Sequence, residues 1–337
     1  MNFWQQLPKP MMVLAPMADV TDAPFRRMIA KYSAHERADE TIGGPDVMWT
    51  EFVAADGLVR ATPEGKEKLM MDLMYSEEER PIVAQLFSST PEHMEYAAGL
   101  VRELGFDGVD INMGCPDRSI EKQGCGSAMI KNPASAKEII KAAKRGARTG
   151  ETDGIPVSVK TRLGYNKDEL EEWLPALLEE APAVVTMHAR TRKEMSKVPA
   201  RWERVKRAVE IRNELGVDTL ILGNGDAESL EDARQKAALS GADGVMLGRA
   251  IFGNPWLFHP EKDLSNVSLS ERLEVMIEHT KLYAELLPNK NFATMKKHYK
   301  AYVNSFAGAA ELRAELMEQN TPEEIERVVH SFLKKAI

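Results

Sequence analysis

A thiol follows a short apolar segment in this sequence, at a position that suggests chemistry. Residues 108–112 predict a buried strand, and the chain then breaks at Gly114-Cys115-Pro116. Because Gly114 permits a turn and Pro116 stiffens the loop, we expect Cys115 at the carboxyl edge of the strand. Barrel and open-sheet α/β proteins keep their reactive groups at that edge. Cys115 is thus a candidate reactive group, although the spacing alone is equally typical of a small buried side chain.

A lysine and two polar corners close other predicted strands. Lys160 follows residues 157–159, a run apolar enough for a core, where an unpaired ammonium is costly. We therefore expect Lys160 to meet an anion or an electron-rich ring. Asn224-Gly225-Asp226 and Gly248-Arg249 end the last two strands, which form the common phosphate-binding corner of a barrel. Gly248 would admit phosphate to backbone N–H groups, and Arg249 would add charge-assisted hydrogen bonds.

Eight strand-like runs position these residues, and helical periodicity separates them. The predicted strands are residues 11–17, 47–53, 82–87, 109–112, 157–162, 184–189, 219–223 and 245–248. The predicted helices include residues 92–104, 134–148, 170–180, 202–215 and 230–240. Eight βα repeats over about 250 residues predict a (β/α)8 TIM barrel. The alternative, a doubly wound sheet, would want a glycine fingerprint after the first strand, and residues 18–22 have none.

The rest of the chain differs from the barrel pattern in two places. Residues 33–45 are polar and contain glycine, and we interpret them as a surface insertion on the far side from any site. Beyond Leu264 the sequence is helical, beginning at the capped start Ser268-Leu269-Ser270-Glu271. We therefore predict a barrel domain over residues 1–262 and a C-terminal helical-bundle domain over residues 263–337.

Composition limits the class of protein. With 337 residues and 43% hydrophobic content, the chain can bury a large core. Two cysteines do not make a disulfide framework, so we expect a reducing, cytoplasmic setting. The first residues do not resemble a signal peptide, and no apolar run approaches the roughly 20 residues of a membrane-spanning helix. We expect no membrane association.

The net charge of −8 argues against a nucleic-acid partner, but the charge is unevenly distributed. Residues 188–207 carry eight Lys or Arg side chains against Glu194 and Glu203. Residues 288–300 carry four lysines and no acid. Local basic faces can bind phosphates whatever the total charge is. Each cluster alone is equally typical of a solvated helix face.

These motifs, in this order and spacing, resemble the tRNA-dihydrouridine synthase family. The resemblance runs from about Leu14 to Phe258, and residues 298–316 resemble that family's RNA-binding domain. The matching residues are Ala15-Pro16-Met17, Thr50-Glu51, Gln85, residues 110–116, Lys160-Thr161-Arg162, residues 188–191, Asn224-Gly225-Asp226 and Gly248-Arg249. The resemblance implies a barrel that binds FMN and reduces the uracil C5=C6 bond in tRNA with electrons from NADPH. We expect a monomer without a metal.

The resemblance also implies roles for individual residues, with Cys115 as the catalytic acid. The residues expected to bind FMN are Pro16, Met17, Ala18, Gln85, Lys160, His188, Asn224, Gly225, Asp226, Gly248 and Arg249. Gln85 and Lys160 would contact the polar edge of the isoalloxazine, and the ribityl chain and phosphate would be held by His188, Asn224, Asp226, Gly248 and Arg249. The residues expected to contact tRNA are Asn112, Arg162, Arg190, Lys296, Lys297 and Lys300.

The implied reaction needs a protonated thiol. After hydride reaches uracil C6, a proton must arrive at C5. A thiol with the ordinary pKa of about 8.5 is mostly protonated at neutral pH and can serve as a general acid. However, the cations Lys160, Arg162 and Arg190 would lower the pKa of Cys115, and the sequence leaves this conflict open. Cys125, between two glycines, is interpreted as a small buried side chain.

Two other functions are consistent with parts of the sequence. One is a small-molecule FMN barrel enzyme of the dihydroorotate dehydrogenase type, which would have no use for a lysine-rich helical tail. The other is a tRNA-binding protein that has lost its chemistry. The intact set of Cys115, Lys160, His188 and Arg249 argues against that second alternative.

Overall fold

Eight parallel strands form the sheet of this protein in the computed structural model, which describes residues 2–37, 40–150, 154–262 and 264–336. From β2 to β8 each strand pairs with the next one in sequence, and β1 pairs with β8. The strands are β1 Met11–Leu14, β2 Met48–Ala54, β3 Ile82–Phe87, β4 Gly108–Met113, β5 Val157–Arg162, β6 Val184–His188, β7 Leu220–Asn224 and β8 Gly244–Leu247.

Hydrogen bonds between β1 and the segment that enters β2 close the sheet. Leu14 N donates to Val47 O at 3.0 Å, and Asp46 N donates to Met12 O at 2.8 Å. The closed, all-parallel arrangement confirms the predicted (β/α)8 TIM barrel. All eight predicted strands are present, because each apolar run is long enough to be buried on both faces, as a barrel strand requires.

Helices follow the strands of this first unit, which comprises Met1–Ala18 and Pro45–Gly248. They are Ala55–Arg60, Pro63–Asp72, Pro91–Glu103, Arg118–Glu121, Pro133–Ala147, Leu170–Leu178, Trp202–Glu214 and Leu230–Ser240. Short 3₁₀ helices span Phe3–Gln5, Glu77–Glu79 and Gly126–Lys131. Trp4 packs with Trp49, Val83 and Leu222 in the barrel core, at a ring distance of 5.6 Å from Trp49. The amino-terminal segment thereby adds a large apolar side chain to that core.

The second unit combines Arg249–Ile337 with Asp19–Gly44. Its α-helices are Ala23–Tyr32, Leu269–Leu286, Lys296–Tyr302, Ala309–Glu318 and Pro322–Ala336, with 3₁₀ helices at Arg249–Ile251 and Phe292–Met295. Lys31 and Tyr32 both contact Glu278, at 2.7 and 2.6 Å. Phe25 packs on the ring of His298 at 5.2 Å. These long-range contacts join Asp19–Gly44 to the helices that follow Gly248, whereas the predicted helical domain comprised residues 263–337 alone.

The predicted insertion at residues 33–45 forms a small antiparallel pair in this second unit. His35–Glu36 pairs with Ile42–Gly43, and Ala38 and Asp39 lie outside the described residues. Ser33 anchors the start of the segment, because its Oγ donates to Pro255 O at 2.6 Å. No helix in the described part of the chain is long and apolar enough to cross a membrane.

Candidate active site

The loop after β4 holds Cys115 by its backbone on both sides. The Asn112 Oδ1 atom accepts hydrogen bonds from Gly114 N at 3.1 Å and Cys115 N at 2.9 Å. Ser127 donates to the Cys115 carbonyl oxygen from both its N and its Oγ, each at 2.9 Å. Gly126 has φ of +60°, and a Cβ there would lie 2.6 Å from the same oxygen. The Cys115 backbone is therefore fixed, while its half-buried side chain has no covalent partner.

Burial raises the pKa of the Cys115 thiol above its ordinary value. The hydrogen bond with the Asp117 backbone and the charges of Arg162 and Lys160 act in the opposite direction, but their combined effect is smaller. Because desolvation disfavours the thiolate, the group remains a thiol at neutral pH. In the conflict left open by the sequence, burial thus outweighs the cations, and the proton-donor role of Cys115 stays a prediction.

Lys160 carries a buried ammonium group close to the cysteine loop. In β5 it is in register with Asn112 of β4, and its Nζ donates to Asn224 Oδ1 at 3.3 Å. Burial first, and then the charge of Arg162, lower the pKa of Lys160 to about 8, while Asp110 opposes that shift. Within the described residues Nζ makes this one long hydrogen bond, which leaves donors for an anionic or electron-rich ligand.

Gln85 and Asn112 contact each other beneath the loop. Asn112 Nδ2 donates to Gln85 Oε1 at 3.1 Å, and Gln85 Nε2 donates to Asp110 Oδ2 at 2.6 Å. Gln85 is only 1% exposed. Their predicted contacts, flavin for Gln85 and tRNA for Asn112, stay predictions, because the structure shows these amides binding protein groups.

Two arginines predicted to contact tRNA are buried and bind protein groups instead. Arg162 is 8% exposed, and its guanidinium donates to the carbonyls of Gly114, Thr191 and Met195. Arg190 is 2% exposed and forms an ion pair with Asp226 at 2.5 Å. Both guanidiniums hold the loops around the barrel mouth, and the prediction that Arg162 and Arg190 contact tRNA stays a prediction.

The predicted phosphate corner combines unusual backbone with polar side chains. Gly225 has φ of +126° and Asp226 has φ of +51°, so the turn after β7 favours glycine and a short polar residue. His188 Nε2 lies 3.2 Å from Arg190 Nη1, and His188 is in register with Asn224. A Cβ on Gly248 would make only ordinary contacts, at 3.6 Å or more.

The other residues expected to bind the cofactor lie at the ends of β1 and β8. Pro16 and Met17 are half-buried, and Ala18 is exposed. Arg249 is exposed and directly follows Gly248 in the chain, but it belongs to the second unit. Its contact with a phosphate stays a prediction.

The basic stretch at residues 188–207 is largely neutralised by acids, most of which lie outside the stretch. Arg204 binds both oxygens of Asp168, at 2.8 and 3.0 Å. Other ion pairs join Arg192 to Glu121, Arg201 to Glu194, and Arg207 to Glu171, Glu210 and Glu214. Lys193 and Lys197 are exposed. The count of charges along the sequence therefore overstated the positive charge that this stretch has available for a ligand.

The three lysines predicted to contact tRNA in the helical unit have different surroundings. Lys296 Nζ donates to Met317 O at 2.7 Å and to Asn320 Oδ1 at 3.3 Å, so it satisfies the end of a neighbouring helix. Lys297 is half-buried and Lys300 is exposed. The exposed Lys300 suits the predicted phosphate contact, and the contacts of all three lysines with tRNA stay predictions.

Cys125 is fully buried, and it packs with Phe87 and Ile120 in a cluster that Cys115 also touches. Burial raises the pKa of Cys125 to about 11, as expected for a small core side chain. Sequence reasoning missed the roles of Asp110 and Ser127. Asp110 could have been found, because it lies two residues before Asn112 and shares its face of the strand.

Comparison with known proteins gives consistent matches. A family model described as dihydrouridine synthase matches residues 13–337. A Bacillus subtilis (strain 168) protein named "Probable tRNA-dihydrouridine synthase 2" is 39% identical over 337 residues, covering 99% of this chain and 97% of that protein. A Staphylococcus aureus (strain MRSA252) protein named "Probable tRNA-dihydrouridine synthase" is 37% identical over 334 residues, covering 98% and 95%. Among solved structures, histamine dehydrogenase from Rhizobium sp. 4-9 aligns with a TM-score of 0.49 at 11% identity, over 81% of this chain and 48% of that one.

Proposed function

The chain belongs to the dihydrouridine synthase family, and we propose that it reduces the C5=C6 bond of uridines in tRNA, with FMN as cofactor and NADPH as electron donor. Two relatives that match nearly the whole chain carry names that specify tRNA. FMN, when bound, supplies the hydride that uracil C6 receives. The chain's own residues must bind the flavin, admit a uridine and deliver a proton to C5.

Cys115 is the proposed proton donor, and its environment is the observation that carries the proposal. A general acid must be protonated at the working pH and must be held in one place. Burial raises the pKa of the Cys115 thiol, and three hydrogen bonds fix its backbone through Asn112 and Ser127. A protease-type nucleophile would need the opposite, a thiolate with a lowered pKa.

The residues at the barrel mouth have the chemistry that a flavin needs. The Lys160 ammonium makes one long hydrogen bond and has a pKa of about 8, so it can place positive charge beside an electron-accepting ring. His188 ends β6, and Asn224, Gly225, Asp226 and Gly248 lie at the ends of β7 and β8, where barrels commonly bind phosphate groups. We propose that Pro16, Met17 and Ala18 line the ring and that Arg249 adds a phosphate contact.

A polyanionic substrate must find positive charge on a chain whose net charge is −8. We propose that Lys297 and Lys300 of the helical unit contact the tRNA backbone. Lys193 and Lys197 are exposed on the loop after β6 and would contribute from the barrel. The reacting uridine must leave its stack, because its ring is reduced inside a pocket.

The test is NADPH oxidation with and without unmodified tRNA under anaerobic conditions. We expect a yellow protein that releases FMN on denaturation and whose NADPH oxidation rises when tRNA is added. A colourless protein that still binds tRNA would indicate a binding module. A yellow protein whose NADPH oxidation is stimulated by a small pyrimidine or quinone, and not by tRNA, would indicate the small-molecule alternative.

A further inference from the structure

A continuous chain of hydrogen bonds leads from the barrel interior to Cys115. Ser158 Oγ donates to Asp110 Oδ1 at 2.6 Å, and Gln85 Nε2 donates to Asp110 Oδ2 at 2.6 Å. Gln85 Oε1 accepts from Asn112 Nδ2 at 3.1 Å, and Asn112 Oδ1 accepts the N–H groups of Gly114 and Cys115. The strand register places Gln85, Asp110 and Ser158 in one row across β3, β4 and β5.

The groups at its two ends determine which atom donates and which accepts in every hydrogen bond of this network. At the upper end, backbone N–H groups are obligatory donors, so Asn112 must turn its oxygen toward them and its NH₂ toward Gln85. Gln85 must then accept with its oxygen and donate with its NH₂. At the lower end, an ionised carboxylate can only accept, which requires the same orientation of Gln85. Both ends therefore select the same arrangement of the two amides.

We propose that Asp110 is a positioning residue, which orients Gln85 and Asn112 and through them holds the loop that carries Cys115. Asp110 is fully buried, and the side chains of Gln85 and Ser158 in the barrel interior donate hydrogen bonds to its carboxylate. The importance of Asp110 for catalysis rests on the proposed role of Cys115 as proton donor. The hydrogen-bond chain itself is independent of the substrate.

The ionisation of Asp110 is consistent with this role. Burial raises the pKa of Asp110 to about 6, while hydrogen bonds from Ser158 and Gln85 and the charge of Lys160 limit the rise. The carboxylate is therefore the main form at neutral pH, and it accepts hydrogen bonds only. Without this acceptor, Gln85 could rotate its amide. Asn112 would then lose the partner that keeps its oxygen toward the two N–H groups.

Two substitutions of Asp110 distinguish the effect of its hydrogen-bond acceptor from the effect of its side-chain size. Asp110→Asn keeps an oxygen that can accept from Gln85, and the Ser158 hydroxyl can turn to accept from the new NH₂. Asp110→Leu has a similar size but offers no acceptor. Ser158→Ala is the matched control, because it removes a donor to Asp110 without interrupting the path to Cys115.

The readout is the alkylation rate of Cys115 by iodoacetamide across pH 6–10. All variants carry Cys125→Ala, so that one thiol reacts, and the purified protein is used with its bound cofactor. We expect Asp110→Leu to raise the rate about fivefold or more at neutral pH, the equivalent of roughly 1 kcal/mol for one hydrogen bond. We expect Asp110→Asn and Ser158→Ala to stay within about twofold of the parent, because both keep the chain to the loop.

Two results would overturn the proposal: a folded Asp110→Leu variant whose rate–pH curve superimposes on that of the parent, or an Asp110→Asn variant that behaves like Asp110→Leu. If Asp110→Leu does not fold, Gln85→Met breaks the next link with a side chain of similar size. Its rate must then rise as well, and an unchanged rate contradicts the proposal. Alkylation needs no tRNA, so a protein that follows this pattern but forms no dihydrouridine would refute the proposed function alone.

Discussion

The buried ion pair between Arg190 and Asp226 predicts an asymmetric loss of stability. The Arg190 side chain is 3% exposed, whereas that of Asp226 is 30% exposed. Removing the carboxylate leaves a guanidinium that water can hardly reach. Removing the guanidinium leaves a carboxylate that is partly hydrated and still accepts the Ala200 N–H at 2.8 Å. Asp226→Asn should therefore destabilise the protein more than Arg190→Met does.

The magnitudes follow from these exposures. Breaking a buried pair costs about 3–5 kcal/mol when the remaining charge is fully buried, so we expect roughly 3 kcal/mol for Asp226→Asn, whose amide still accepts a hydrogen bond. For Arg190→Met, hydration of the carboxylate reduces the cost to about 1–2 kcal/mol. Asparagine is chosen because the residue has φ of +51°, which asparagine tolerates. The double variant should lose less than the sum, by roughly 1 kcal/mol or more.

Urea-induced unfolding, followed by tryptophan fluorescence, measures these free energies. Flavin-free protein is used for every variant, so that weakened cofactor binding is not counted as lost stability. Lys193→Met is the matched control, because this residue is exposed on the same loop, and it should change stability by less than about 0.5 kcal/mol. The reasoning is refuted if Arg190→Met leaves stability unchanged and instead flattens the salt dependence of tRNA binding, as a phosphate contact would.

Three further predictions concern the proton donor, the cofactor and the substrate. Because burial raises the pKa of Cys115, single-turnover dihydrouridine formation should persist through neutral pH and fall only as the pH rises through the thiol pKa. A loss of activity as the pH is raised from 6 to 7 would contradict this. Arg249→Ala should weaken FMN binding by about 1.5–3 kcal/mol, visible as a paler protein whose activity added FMN restores; an unchanged Kd removes Arg249 from the phosphate site. Replacing Lys297 and Lys300 by Ala should reduce the salt slope of tRNA binding by up to roughly two units, whereas Lys296→Ala should leave that slope unchanged, and equal slopes in all proteins would make these lysines a solvated face.

The barrel could be predicted from the sequence because each of its strands is encoded by a short continuous run of residues. Each strand is an apolar run of a few residues, and eight such runs alternating with helical periodicity leave few other folds. The ends of those runs also indicated Cys115, Lys160 and the turn at Gly225. Cys115 and Lys160 are conspicuous because a reactive thiol and a charged ammonium are unusual beside an apolar core. Gly225 is conspicuous because its backbone, with φ of +126°, requires glycine.

The remainder depends on contacts between distant parts of the chain. Arg190 counted as a free cation along the sequence, but the fold brings Asp226 to it from the next strand. Likewise, Asp168 and Glu171 neutralise arginines more than thirty residues away. Tyr32 and Glu278 are also neighbours only in the folded chain, so the sequence did not group Asp19–Gly44 with the carboxy-terminal helices. Periodicity carries no information about such pairings.

The central claim is that Cys115 delivers the proton during uridine reduction in tRNA. Mass spectrometry of nucleosides from tRNA incubated with FMN-loaded enzyme and NADPH tests it directly. Wild type and Cys125→Ala should convert uridine to dihydrouridine at similar rates. Cys115→Ala should be slower by about 10²–10⁴-fold, although its flavin is still reduced by NADPH. An active Cys115→Ala variant, or an inactive Cys125→Ala variant that retains its flavin, would contradict the account.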